Sequence, residues 1–153
     1  MKRNNQGFSL VELIVVIAIM AVLIIAIAPR LVKYVERSKR AVDVENAAEF
    51  VKGSQRILAE HELDTKYDGV HYAASVAWNK NSKFDEDNPK NLLDYYASEL
   101  GALPLSKAHP DYFWVLEFDD KANPTKLYIA DKLGPGSKQY ELWPDPSAYL
   151  KDK

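Results

Sequence analysis

The sequence predicts an α+β fold in which a long N-terminal helix packs on a small antiparallel β-sheet. Near the N-terminus, an apolar run passes directly into an amphipathic pattern with helical spacing. The second half of the chain contains three short runs of strand-forming residues, separated by turn residues. One face of such a sheet has to be buried, and the apolar stripe of the helix is a surface that can cover it.

The first predicted element is an apolar helix long enough to cross a bilayer. After a polar heptapeptide, Phe8 opens an apolar run of 21 residues. A helix of this length spans about 31 Å, close to the roughly 30 Å of a bilayer hydrocarbon core. Residues 13–28 are apolar on every face, which is typical of a helix surrounded by lipid or by other helices. We therefore expect a helix at 8–28 that crosses a membrane or lies among other apolar helices.

Two other interpretations of this segment stay open on composition alone. Ala26-Ile27-Ala28 has the small-residue spacing of a signal-peptide cleavage site, although Pro29 would follow the cut and the apolar part exceeds the usual 7 to 15 or so residues. A plain membrane anchor gives no reason for Glu12, because a charged side chain deep in a bilayer costs about 2.5–3.5 kcal/mol. Glu12 could instead lie near the headgroups and snorkel.

The residues around Glu12 form a specific pattern. Gly7-Phe8-Ser9-Leu10-Val11-Glu12-Leu13 follows a short basic leader and precedes a purely apolar helix. This stretch resembles the N-terminus of type IV pilins and the related pseudopilins. The resemblance implies cleavage between Gly7 and Phe8 by a membrane-embedded prepilin peptidase on the cytoplasmic side, and N-methylation of Phe8. It therefore implies a leader at 1–7, and a transmembrane or filament-core helix at 8–28 that stays in the mature protein.

The chemistry of assembly suggests a role for Glu12. A subunit that leaves the bilayer for a homo-oligomeric helical filament needs an apolar helix that can exchange lipid for neighbouring helices, which residues 8–28 supply. The amine freed on Phe8, of the same or an adjacent chain, is the nearest positive partner for the Glu12 carboxylate. We predict that this pair sets the axial register of a subunit.

The resemblance also implies a location. The chain would be a single-pass cytoplasmic membrane protein before assembly and part of an extracellular, cell-surface pilus afterwards. Lys and Arg are more numerous just after the span than before it, which by the positive-inside rule favours a cytoplasmic C-terminal part instead.

The long helix is expected to continue beyond the apolar run, over residues 29–63. Pro29 lies where the family commonly has a proline, and it either kinks the helix or begins a new one at its first turn. The predicted buried stripe contains Val44, Ala47, Ala48, Val51 and Leu58, with Phe50 and Ile57 beside it. Arg40 and Asp43 fall outside this stripe. The helix is expected to end near Leu63-Asp64, before an Asp68-Gly69 turn.

Residues 64–153 are predicted to form a C-terminal globular domain. Residues 70–78 read as an irregular strand or a short helix. A second helix is expected to begin with Asn88 as N-cap and Pro89 in its first turn, and to stop at Gly101.

Strands are expected at 112–118, 126–130 and 139–143, in a sheet of three or four strands whose first two runs form a hairpin. The tail at 144–153 is predicted to be loop or a loose end.

The composition argues against several other classes of protein. The chain has no cysteine, which excludes thiolate metal sites, a cysteine nucleophile and the C-terminal disulfide of many type IV pilins. A formal charge of −2 makes nucleic-acid binding by the subunit alone unexpected. No motif of an enzyme is recognisable, so we predict neither catalysis nor a cofactor.

Metal binding is not predicted either. His61, His71 and His109 lack metal-ligand spacing, and the acidic residues at 85–87 lack the alternation of a calcium loop, although neutralising them would test for calcium. The aromatic residues of the C-terminal part are expected mostly in the core.

The resemblance implies a structural pilin, processed by prepilin peptidase and assembled by membrane machinery into a type IV pilus, and it leaves open whether the pilus serves adhesion, motility or DNA uptake. The bilayer is its partner before assembly. One alternative is a pseudopilin of a type II secretion or competence system. Another is a membrane-anchored binding domain that never polymerises.

Overall fold

A computed structural model describes residues 8–61, 71–72, 75–119 and 123–151. The helices are α1 (Leu10–Glu60), α2 (Leu92–Leu100) and α3 (Ser147–Lys151), and the strands are β1 (His71–Tyr72), β2 (Ser75–Trp78), β3 (Phe113–Phe118), β4 (Pro124–Ala130) and β5 (Gln139–Trp143). The predicted α+β class is therefore confirmed. The chain divides into two compact units, one up to Glu36 and one from Arg37 onward. The predicted leader at 1–7, the helix end at Leu63-Asp64 and the turn at Asp68-Gly69 lie outside the described residues.

The first unit is the N-terminal half of α1. Every side chain from Phe8 to Glu36 is exposed, although most of them are apolar. Pro29 lies inside α1, and the helix is continuous through it. Because proline has no amide N–H, the carbonyl of Ile25 lacks its usual helical partner. A kink at Pro29 stays a prediction.

The second unit contains the sheet. Within the described residues, it has five strands in the order β1-β2-β3-β4-β5, and each adjacent pair is antiparallel. This is one strand more than the three or four expected, because His71–Tyr72 adds a two-residue strand at the edge. A strand or a short helix is predicted for residues 70–78, and the described part of this range is strand. The predicted β3–β4 hairpin is present, with β4 beginning at Pro124 rather than at Lys126.

The core of this unit lies between α1 and the sheet. Phe50 of α1 packs against Trp78 of β2, with ring centroids 4.6 Å apart, and Trp78 stacks on Trp114 of β3 at 5.9 Å. Phe50 and Ile57 are fully buried. The observed apolar stripe is therefore centred on two residues that lie beside the predicted stripe. The half-buried residues Val44, Ala48 and Leu58 flank this stripe. The largest side chains face the sheet because they can fill the space between the two layers.

The second helix begins three residues later than predicted. Asn91 is its N-cap, and its Oδ1 accepts hydrogen bonds from the backbone N–H groups of Leu93 and Asp94, at 3.0 and 3.1 Å. The predicted cap at Asn88-Pro89 is wrong because α2 begins only at Leu92, and Asn88 lies before it in a turn where its N–H donates to Asp85 Oδ1, at 3.1 Å. The predicted stop is at the right residue, since Gly101 caps the helix in the left-handed conformation with φ of 77°.

The carboxylate of Asp43 is the main polar contact of the core. This side chain is fully buried, although the sequence pattern had placed it outside the apolar stripe. It accepts hydrogen bonds from Ser106 Oγ at 2.6 Å and Tyr149 Oη at 2.6 Å. The backbone N–H groups of Lys107 and Ala108 also donate to it, at 2.6 and 3.3 Å. Four donors replace the water that the carboxylate loses on burial, which is the condition for burying such a group.

The C-terminal segment forms a short helix instead of the predicted loop or loose end. The Asp145 carboxylate accepts a hydrogen bond from the N–H of Ser147, at 3.0 Å, and this bond lowers the pKa of Asp145. The fully buried Tyr149 attaches α3 to the core, and the Arg40 guanidinium carbon lies 5.8 Å from its ring centroid. Burial, and then the hydrogen bond to Asp43, raises the pKa of Tyr149.

We expect Tyr149→Phe to lower the free energy of unfolding by about 1.5–3 kcal/mol, because a buried carboxylate loses one of its donors. Since the pKa of Tyr149 is raised by folding, its contribution is full below its unfolded pKa of about 10 and is lost as the pH rises above that value. The difference between the two proteins should therefore shrink at pH 11. Urea unfolding of the full chain in detergent micelles, followed by tryptophan fluorescence, measures both effects.

Tyr112→Phe is the matched control for this prediction. Its ring is half-buried and stacks on His109 with centroids 4.6 Å apart, so we expect a change within about 0.5 kcal/mol. Equal stability of Tyr149→Phe and the unsubstituted protein at pH 8 would show that the Asp43 contact contributes nothing.

Candidate processing and assembly site

The first turn of α1 is closed by a reciprocal pair of hydrogen bonds between Ser9 and Glu12. The N–H of Ser9 donates to Glu12 Oε2 at 2.8 Å, and the N–H of Glu12 donates to Ser9 Oγ at 3.2 Å. This is a capping box, which satisfies two backbone donors that a helix N-terminus otherwise leaves without partners. The sequence Ser-x-x-Glu folds this way locally because the two side chains reach back across one helical turn.

The capping box fixes where the carboxylate of Glu12 points. It lies at the positive end of the helix dipole, which favours a negative charge at this position. The Ser9 N–H that it accepts is one residue away from the backbone nitrogen of Phe8. If the chain began at Phe8, a charged amine would therefore stand next to a carboxylate already turned towards it.

The helix behind this turn is apolar around its whole circumference. The exposed fraction of Phe8 is 87%, and Ile25 is still 75% exposed. An 18-residue window of α1 has a mean hydropathy of 3.3, so this part of the helix is long and apolar enough to cross a membrane. Glu12 is the one charged residue between Phe8 and Ala28. At the start of a helix, backbone N–H groups without an intrahelical partner can donate to a carboxylate and leave the helix intact.

The predicted site residues are only partly brought together. Phe8 lies two residues before α1 and Glu12 lies in its first turn, whereas Pro29 follows Glu12 by about 25 Å of helix at 1.5 Å per residue. Gly7 lies outside the described residues. Sequence reasoning missed Ser9 as the partner that orients Glu12, although the Ser-x-x-Glu spacing before an apolar run is a signal for it.

The histidines and the acidic loop occupy different environments. His109 stacks against Tyr112 and Tyr140, with centroid distances of 4.6 and 5.5 Å, which is an aromatic packing role. The acidic residues at 85–87 are exposed, and Asp85 closes a local turn. His61 lies beside the carboxylates of Glu60 and Glu99.

Comparison with known proteins bears directly on the first helix. Residues 2–28 match the prokaryotic N-terminal methylation motif. The chain is also similar to the prepilin peptidase-dependent protein A of Clostridium perfringens (strain 13 / Type A). The two are 31% identical over 100 residues, which cover 65% of this chain and 71% of that protein. No solved structure shows a significant match.

We expect Ser9→Ala to loosen the first turn of α1, because the N–H of Glu12 loses its acceptor and the box loses one of its two bonds. The cost of removing such a cap is about 0.5–2 kcal/mol. Amide hydrogen exchange of residues 10–13 in detergent micelles should accelerate about 2- to 30-fold, whereas Ser9→Thr, which keeps the hydroxyl, should leave it nearly unchanged. Equal exchange in Ser9→Ala and Ser9→Thr would contradict the capping role.

Proposed function

The chain belongs to the type IV pilin-like family, and on this premise we propose that it is a structural subunit of a type IV pilus. The family evidence points to a structural protein rather than to an enzyme. In this proposal, the leader is removed, the first helix enters the core of a helical filament, and the unit from Arg37 onward is displayed on the outside.

The observation that supports the proposal most is the contrast between the two halves of α1. Residues 8–36 carry large apolar side chains that the described residues leave exposed, whereas residues 47–57 are built into a packed core. Such a surface is stable only in lipid or against other apolar helices. Lipid before assembly and identical helices after assembly are the two environments that a filament subunit has.

Processing would prepare the site chemically. A peptidase that hydrolyses the bond between Gly7 and Phe8 frees an amine on Phe8, and methylation of that amine keeps its positive charge. The capping box already directs the Glu12 carboxylate towards this end of the helix. An amine on the same or a neighbouring chain that pairs with it would remove the cost of burying the carboxylate among apolar helices.

The second half of α1 belongs to the globular unit that the subunit would display. The helix is continuous from Leu10 to Glu60, so the segment that would enter the filament and the segment inside the globular core are parts of one element. Asp43 fastens the C-terminal helix and the loop at 106–108 to that element. We therefore expect the displayed domain to stay attached to its filament helix when the filament is under mechanical tension.

We predict that Glu12→Gln leaves the protein cleaved and inserted in the membrane but lowers the amount in sheared filaments at least tenfold. Glutamine has the shape of glutamate and can still accept the Ser9 N–H, but it has no charge to pair with the Phe8 amine. The measurement is quantitative immunoblotting of the membrane and sheared fractions from cells that express the assembly machinery.

Glu36→Gln is the control, since Glu36 is an exposed glutamate of the same helix outside the apolar run. It should assemble normally. Normal assembly of Glu12→Gln would disprove the register role of this residue. An unsubstituted protein that is never found in a filament, although it is cleaved, would argue against the pilus function and for a pseudopilin.

A further inference from the structure

Three potential metal ligands meet where α1 and α2 both end. Glu60 is the last residue of α1, His61 follows it, and Glu99 is the penultimate residue of α2. Their nitrogen and carboxylate oxygen atoms all lie within 4.8 Å of one another. The N–H of His61 still donates to the carbonyl of Ile57, at 3.0 Å, so the helix fixes the backbone position of this histidine.

The electrostatics of this place favour a cation. Helix C-termini carry about half a negative charge, and carboxylates are unfavourable beside them. Here Glu60 and Glu99 occupy the last turns, and the sequence of neither last turn contains a basic residue. Arg56 does pair with Glu99, and the two side chains are 55% and 29% exposed, so solvent screens this ion pair in part.

The imidazole of His61 is held by packing. Its ring lies 4.3 Å from the ring of Tyr95 on α2, at an interplanar angle of 30°, and the residue is half-buried. A ring that contacts an aromatic neighbour has less rotational freedom than an exposed histidine. The two glutamates are exposed and can adjust their rotamers around this nitrogen donor.

We propose that Glu60, His61 and Glu99 form a binding site for Zn²⁺. One imidazole and two carboxylates are ligands that zinc accepts, at about 2.0–2.2 Å, with water in the fourth position of a tetrahedral site. Ca²⁺ and Mg²⁺ prefer six or more oxygen ligands and gain little from an imidazole. In a tetrahedral site with these bond lengths, two ligand atoms lie about 3.4 Å apart, so binding needs the side chains to close from the 4.8 Å within which their ligand atoms now lie.

Binding would join the ends of two helices of the same unit. The ion would bridge the residues that terminate α1 to a residue near the end of α2, and Arg56 would give up Glu99 to the metal. Since the folded chain alone brings the three ligands together, bound zinc would stabilise the folded state by mass action. This inference is independent of the pilus function proposed above.

The test is isothermal titration of Zn²⁺ into the full chain in detergent micelles after treatment with EDTA. We expect one equivalent to bind at pH 7.5, with Ca²⁺ and Mg²⁺ giving no comparable heat. His61→Ala and Glu99→Gln should each weaken binding at least tenfold, and Glu86→Gln, an exposed glutamate elsewhere, should not.

The melting temperature of each variant in EDTA shows whether the substitution destabilises the fold in the absence of metal. If His61→Ala melts lower than the unsubstituted protein in EDTA, then Glu60→Gln, at an exposed position, is the variant to compare. The absence of a bound equivalent in the unsubstituted protein would overturn the proposal. Binding that is equally tight in His61→Ala, Glu60→Gln and Glu99→Gln would overturn it as well, because the ion would then lie elsewhere.

Discussion

A carboxylate buried in a protein core has to be surrounded by hydrogen-bond donors, and Asp43 obtains them from segments far away in the sequence. Ser106 is 63 residues from Asp43, and Tyr149 is 106 residues from it. The loop at 106–108 and helix α3 are thereby both fixed to α1. Each unsatisfied bond would leave a buried charge short of a donor, which costs more than the bond itself contributes. The closure of the globular unit therefore depends on this one side chain.

The second constraint is that one helix has to suit two environments. Residues 8–36 are exposed, and residues 13–28 among them are apolar on all sides, whereas from Arg40 onward one stripe is buried and the opposite face is polar. The two patterns follow each other without a break in the helix. A segment without a polar face has no stable orientation in water, so the first half requires a partner that the described part of the chain does not provide. Membrane and filament are both partners of the required kind.

Local signals explain which parts of the fold the sequence predicts well. The apolar run, the strand-forming runs at β3 to β5 and the stop at Gly101 depend on neighbouring residues, and the structure has them in place. Asp43 and Tyr149 were missed because a charged residue on a helix usually faces solvent, and because no local pattern reveals a partner 106 residues away. The start of α2 was missed for a different reason. Asn88 and Asn91 are both acceptable caps, and contacts with Asp85 and Asp94 decide between them.

The candidate site is predictable to a similar extent. The motif around Glu12 identifies the family from the sequence, but the hydrogen bonds of Ser9 explain how the carboxylate is directed towards Phe8. The proposed pairing of that carboxylate with an amine depends on cleavage between Gly7 and Phe8, and this cleavage is therefore the central claim.

The most direct measurement is the intact mass and N-terminal residue of the protein from its native membranes and sheared surface fraction. The account predicts a chain that begins at Phe8 and carries one added methyl group. A chain that begins at Met1 in both fractions, or at Pro29, would contradict it.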